Sequence, residues 1–236
     1  EEAIELLATG EMDMQGLLPR SSNYTFFVII KRAELQVPAV YKPSRGERPL
    51  WDFPPSTLAR REVAAHALSE ALGWMLVPPT VLRDGPHGTG MVQLYIHADP
   101  RENYFTLGKQ FPEQFKRMAL FDALINNADR KAGHCLHDDD GHIWAIDHGV
   151  CFHEEPKLRT VIWQFAGEMI PAGLLRNLRT LREQLKSDSD PATKTICCLL
   201  TGREVGALAR RADELIEQGR FPIPDPYERY IPWPPV

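Results

Sequence analysis

The chain has 236 residues, enough for one or two domains with a proper core, and 43% of them are hydrophobic. A formal net charge of -5 gives no overall attraction to polyanions, so a nucleic-acid partner is excluded unless a local basic patch exists. Arg60-Arg61 and Arg210-Arg211 read as solvated helix faces, and no apolar run of about 18 residues marks a membrane span.

Taken in chain order, EEAIELLATG (1–10) reads as an amphipathic helix. The stretch EMDMQGLLPRSSNYTFFVIIKRA then carries a strand, a Pro/Ser/Asn turn and a β-branched, aromatic strand, which is a hairpin signal. LQVPAVYK (35–42) is a third strand, and SRGERPLWDFPP (44–55) a Pro/Gly loop. After Ser56-Thr57, the residues Leu58, Val63, Ala67, Leu68, Ala71 and Leu72 recur at helical spacing, with Gly73 as the C-cap. VPPTVLR (77–83) and GMVQLYI (90–96) are two further strands split by the turn DGPHGTG. Helical periodicity returns from Pro112 to Asn127 through Phe115, Met118, Ala119, Phe121, Leu124 and Ile125. A short hairpin with the turn HDDDG and the strand IWAID follows. Helices are expected over 160–186, 192–200 and 203–218, before the Pro-rich tail FPIPDPYERYIPWPP.

This order predicts an α+β chain with a β-rich N-lobe near 10–98, a connector at 97–103, a helical C-lobe near 104–220 and a tail at 221–236. Ligands favour clefts between lobes. The four cysteines, Cys135, Cys151, Cys197 and Cys198, form no CxxC pair and read as reduced core residues, which suggests the cytoplasm.

Phosphoryl transfer from a nucleotide needs a cation for the phosphates, a carboxylate for a divalent metal and a carboxylate that orients the attacking hydroxyl. Lys42, in VYKP, ends a strand at the cleft edge, and Glu62 on the following helix is its candidate partner; the alternative is that both are simply exposed. Asp147 interrupts an apolar strand, either as a functional carboxylate or as a cap for the next turn. Asp129 follows a helix, where its charge opposes the helix dipole. Asp138-Asp139-Asp140 lacks the spacing of a calcium loop and reads as a solvated hairpin turn. No Walker A, GxSxG or HExxH sequence is present.

NADRKAGHCL followed by IWAIDHG resembles the catalytic loop and metal-binding motif of the phosphatidylinositol 3/4-kinase-like superfamily. The likeness is to type II phosphatidylinositol 4-kinases and, more distantly, HipA-like kinases, and specifically to a small actinobacterial kinase-like family. With the lysine of VYKP and the acidic helix after it, the match covers most of residues 10–155. The resemblance implies one two-lobed atypical kinase domain over 1–236 that uses ATP with Mg²⁺ or Mn²⁺ to phosphorylate a hydroxyl acceptor. Asp129 would orient the hydroxyl, with Arg130 beside it in the catalytic group, and Asp147 would be the principal metal ligand. Lys42 would meet the nucleotide phosphates with Glu62 as its ion-pair partner. Ser21 and Ser22 would cover the phosphates, Gln93, Leu94 and Tyr95 would meet the adenine, and Ile146 would lie on the nucleotide side.

One position departs from the family. Where such kinases carry a metal-binding asparagine, this chain has His134, and imidazole suits Mn²⁺ or Zn²⁺ better than Mg²⁺. His134 therefore binds a softer metal, leaves the site with fewer protein ligands, or marks impaired transfer; His148 either compensates or faces solvent. The alternatives to a phosphotransferase are a nucleotide-binding pseudokinase and an AMP-transferring enzyme. The acceptor is not legible. Tyr227, Tyr230 and Trp233 leave peripheral membrane contact open, although packing of the tail across its own domain is the better expectation.

Overall fold

The computed structural model describes residues 2–18 and 23–236. Helix α1 (Glu2–Thr9) is followed by β1 (Glu11–Leu17), β2 (Phe26–Arg32) and β3 (Leu35–Pro43). After α2 (Leu58–Ala71) come β4 (Thr80–Gly85) and β5 (Gly88–Leu94), and the strands form an antiparallel sheet in the order β1-β2-β3-β5-β4. Period-two alternation gives the sheet two distinct faces. Val28, Ile30, Ala39, Tyr41, Val81 and Val92 face the rear, where Leu6 and Leu7 of α1 close an apolar cluster. Arg83 holds α1 there, its Nη1 donating to the carbonyls of Leu7 at 2.9 Å and Gly10 at 2.8 Å.

The opposite face of the sheet carries Phe27, Val40, Lys42 and Met91, since Phe27 is in register with Val40 and Lys42 with Met91. Backbone approach at that point is close. A methyl group added at Gly90 would overlap the Lys42 carbonyl oxygen and lie 2.6 Å from Pro43 Cα.

The helical lobe is built on α4 (Pro112–Ile125), whose Phe115, Met118, Leu120, Phe121, Leu124 and Ile125 are fully buried. Around it lie α3 (Tyr104–Leu107), the hairpin of β6 (Cys135–His137) and β7 (Ile143–Ala145), and helices α5 (Ala172–Gln184), α6 (Pro191–Leu199) and α7 (Gly202–Gln218). The result is an α+β molecule with an antiparallel-sheet N-lobe and a helical C-lobe. Between them lies α2, which is buried on almost every side. Ala59 and Val63 pack on Met91 of the sheet, whereas Ala64, Ala65, Leu68 and Leu72 join the core of the C-lobe.

Several expected boundaries move. The helix expected from 160 begins at Ala172, because residues 159–161 give their backbone bonds elsewhere. Arg130 N–H donates to Arg159 O, Val161 N–H to Arg130 O and Thr160 N–H to Tyr230 O. Strand β4 starts and ends later than the expected 77–83, and β5 starts and ends earlier than the expected 90–96, so the turn between them shrinks to Pro86-His87. Arg61 is 2% exposed, so the Arg60-Arg61 pair does not lie wholly on a solvated face. Arg211 is likewise turned inward, donating to the carbonyls of Leu124 and His153. Cys135 and Cys151 are buried, but Cys197 and Cys198 are exposed on α6 rather than in the core. The acidic turn is closed by Asp138, whose carboxylate accepts from the Asp140 and His142 amides and from Trp144 Nε1. The tail docks through its backbone and through Phe221, which joins the C-lobe core, while Tyr227 and Trp233 stay 97% and 78% exposed. Among the described residues no helix is long and apolar enough to cross a membrane.

Gly90→Ala is expected to lower the unfolding free energy by about 1–3 kcal/mol, because relieving the overlap must push β5 away from Lys42. A urea melt of the two proteins measures it.

Candidate active site

Strand β3 ends at the cleft between the lobes, and its Lys42 projects from the face of the sheet that Met91 shares. The ammonium lies 3.0 Å from Glu62 Oε1 on α2 and 2.5 Å from Asp147 Oδ1 on the far wall. Burial alone would pull its pKa down, but the two carboxylates outweigh that and hold it above its ordinary value, Asp147 foremost. Asp147 is held well below the usual carboxylate range by Lys42, against the opposing effect of burial and with help from His134. Glu62 also accepts from the His148 N–H at 2.8 Å, so it ties the lysine to the loop that follows β7.

That loop takes an uncommon conformation. Asp147 sits at φ 64°, in the left-handed region that costs most non-glycine residues energy and that Asp tolerates better. Such strain persists where surrounding contacts over-determine it, often at functional sites. The over-determination here comes from Arg130, which is fully buried with Asp122. Its Nε and Nη2 pair with the Asp122 carboxylate at 3.0–3.1 Å, and Nη1 donates to Ile146 O at 2.8 Å and His134 O at 3.3 Å. Nη2 lies 2.6 Å from His148 Nε2. A guanidinium can only donate, so Nε2 accepts and His148 is a neutral imidazole. Burial drives it the same way, pushing its pKa well down, and Arg130 adds to that.

Asp129 lines the same cavity as Lys42, Glu62 and Asp147. Its amide donates to Asn127 Oδ1 at 3.0 Å, and the Asn127 side chain donates in turn to Asp122, so one buried carboxylate anchors the whole turn. Helix α4 stops just before it because Asn126 adopts φ 55°. Burial raises the Asp129 pKa and nearby Asp147 adds to that, against the pull of Lys131, 3.4 Å away.

His134 Nε2 lies 3.2 Å from Asp147 Oδ2, while its Nδ1 accepts from the Lys131 amide at 3.4 Å. Burial pushes its pKa down to about 4. It is therefore neutral at pH 7, with the proton on Nε2 donated to Asp147.

The other expected site residues are distributed as follows. Gln93 is buried and its amide donates to Thr80 Oγ1 at 2.8 Å. Leu94 packs against the rear cluster of the sheet. The amides of Leu94 and Tyr95 are both taken, by Pro79 O and Pro38 O. The Tyr95 ring does reach the front, meeting Phe27 edge-on at 5.1 Å. Ile146 is half-buried next to Asp147. Arg130, expected in the catalytic group, is 0% exposed with its donors engaged, so it holds the loops rather than meeting a molecule in the cleft. His148 is buried rather than facing solvent. Ser21 and Ser22 lie outside the described residues. Asp122, Asn127 and Glu47, whose carboxylate accepts from the Leu58 and Ala59 amides, were missed. Only Asp122 carried a signal, as an acid in the otherwise apolar run LFDALI.

Residues 83–208 match the family model described as phosphatidylinositol 3- and 4-kinase. The chain belongs to this family. It is 38% identical over 264 aligned positions to Protein Rv2133c of Mycobacterium tuberculosis, covering 97% of this chain and 94% of that protein. It is 31% identical over 128 positions to phosphatidylinositol 4-kinase gamma 4 of Oryza sativa subsp. japonica, covering 45% of this chain and 22% of the relative. The crystal structure of the Helicobacter pylori proinflammatory kinase CtkA has the same two-lobed fold. Its TM-score is 0.50 at 14% identity, over 89% of this chain and 98% of that one. The family segment contains Asp129, His134 and Asp147, whereas Lys42 and Glu62 precede it and join the site through the fold. The kinase fold implies ATP and a divalent metal in general. Among the described residues no group of three or more His, Cys, Asp or Glu forms a preassembled metal site. Two carboxylates in one cleft fit a hard cation whose coordination is completed by phosphate oxygens and water.

Removing Asp122 leaves the buried Arg130 unpaired. Asp122→Ala is expected to cost about 3–5 kcal/mol of stability, read from chemical denaturation. The two suppressed imidazoles set a pH dependence as well. In the unfolded chain His134 takes a proton near pH 6.5, but in the folded chain only near pH 4. The unfolded state thus binds more protons in that window, and stability falls as pH drops through it. His134 alone accounts for a loss of about 2 kcal/mol at pH 5 relative to pH 8. His134→Asn should make the fall of the melting temperature over that range shallower by its share, leaving the part due to His148.

Proposed function

We propose that the protein is an ATP-dependent phosphotransferase that moves the γ-phosphoryl group to a hydroxyl acceptor, with Lys42, Asp147 and Asp129 as the working groups. The observation that carries this reading is the ammonium of Lys42 between Glu62 and Asp147, in a cavity that Asp129 also lines. Lys42 would meet the phosphates, and Glu62 keeps its stem aimed at them. Mg²⁺ or Mn²⁺ held by Asp147, with Asp129 nearby, would neutralise phosphate charge. The acceptor oxygen attacks phosphorus, the bond to ADP breaks, and the hydroxyl proton passes to Asp129. A carboxylate whose pKa is raised by burial accepts that proton more readily. Positioning and charge supply most of the acceleration in such a loose transition state.

His134 supports a second reading. Its Nδ1 already accepts a backbone N–H, so its Nε2 serves Asp147 as a donor and not as a lone pair for metal. A site short of that ligand suits a nucleotide-binding module without transfer. The family name points to a lipid acceptor in relatives.

In a melting assay, ATP with Mg²⁺ or Mn²⁺ should raise the wild-type Tm, and Asp147→Ala should abolish that rise. Asp129→Ala should keep it while cutting turnover about 10²–10⁴-fold. Labelled ATP then separates the readings: phosphate on an acceptor or in water supports transfer, binding without label transfer supports the module, and mass spectrometry showing an added AMP supports nucleotidyl transfer. No Tm response to nucleotide and metal sinks the proposal.

A further inference from the structure

Arg61 precedes Glu62 on α2, yet the two side chains serve different parts of the molecule. Arg61 turns to the C-lobe, where it is 2% exposed. Its Nη1 donates to Cys151 O at 2.6 Å, its Nη2 pairs with Glu204 Oε1, and its guanidinium lies 4.9 Å from the Phe53 ring centroid. Glu204 is the third residue of α7, and its other oxygen closes a capping box, accepting from the Thr201 amide at 2.8 Å and hydroxyl at 2.9 Å. One carboxylate thus joins the start of α7 to α2.

Successive residues on a helix point about 100° apart. The anchor at Arg61 therefore fixes the rotation of α2, and with it the direction in which Glu62 reaches. Glu62 in turn holds Lys42 Nζ at 3.0 Å and the His148 amide at 2.8 Å.

We infer that the Arg61–Glu204 ion pair is a positioning device for Lys42: it sets the angle of α2 from the C-lobe and so keeps Glu62 against the lysine. The geometric claim stands without nucleotide; its effect on nucleotide affinity rests on the reading of Lys42 given above.

The full chain with Arg61→Met, Glu204→Gln, both changes, or Arg61→Lys tests it. Glutamine can still close the capping box, which separates loss of the pair from loss of the α7 cap. The first measurement is the rate at which an amine-reactive acylating reagent labels Lys42, read by peptide mass spectrometry. The second is amide hydrogen exchange across residues 58–67. In Arg61→Met and Glu204→Gln, Lys42 labelling and α2 exchange should each rise about tenfold while α4 amides stay protected. Arg61→Lys should fall between these variants and wild type, and Mg²⁺·ATP affinity should drop in step with labelling. Unchanged Lys42 labelling in a folded Glu204→Gln protein overturns the inference. So does an equal rise in exchange over the whole C-lobe, which would make the pair a general stabiliser. If wild type binds no nucleotide, the phosphotransferase reading fails, and labelling with exchange still decides the positioning role.

Discussion

One ammonium shared by two carboxylates organises this molecule. Lys42 comes from the sheet, Glu62 from the helix between the lobes and Asp147 from the loop after β7, and they meet although 105 residues separate Lys42 from Asp147. Glu62, whose side chain is 3% exposed, would not be tolerated there alone, because a buried charge without a partner is strongly disfavoured, whereas Lys42 and Asp147 keep one side open to the cleft. Together they compensate one another and leave Asp147 ionised.

The second constraint lies one layer deeper. Asp122 on α4 holds Arg130 and Asn127, and Arg130 in turn reaches the carbonyls of His134 and Ile146 and the ring of His148. This buried network supports Asp147 at a positive φ and the turn that carries Asp129, which lines the same cavity. A breakable pair at the surface could not do this, because exposed ion pairs contribute little and yield to solvent. The outer contacts follow the same logic. Residues 159–161 bond to Arg130 on one side and Tyr230 on the other, and Pro235 O accepts from the Ala132 amide, so the tail braces the turn after Asp129 from outside.

Helix α2 carries both constraints to the N-lobe. It is buried on nearly all sides, which a search for one apolar stripe describes only in part. Successive residues of this helix turn to different surroundings: Arg61 bonds to Cys151 O and Glu204, and Glu62 to Lys42 and the His148 amide.

Four of the residues that line the cleft and the order of the main elements were legible in the chain itself, whereas the buried supports Asp122 and Asn127 were not. Lys42 at a strand end, Glu62 on the next helix, and Asp129 and Asp147 flanking a hairpin follow from local periodicity and punctuation, since those depend on residues a few positions apart. The two lobes follow from strands preceding helices. Tertiary structure alone decided which way each side chain turns. Leu94 and Gln93 differ by one position and face opposite sides of a sheet, Arg61 turns into the C-lobe while Glu62 turns into the cleft, and residues 160–171 stay irregular because distant backbone takes their hydrogen bonds. The physical reason is the same in each case: direction depends on which partner satisfies a buried polar or apolar group, and here those partners lie tens of residues away.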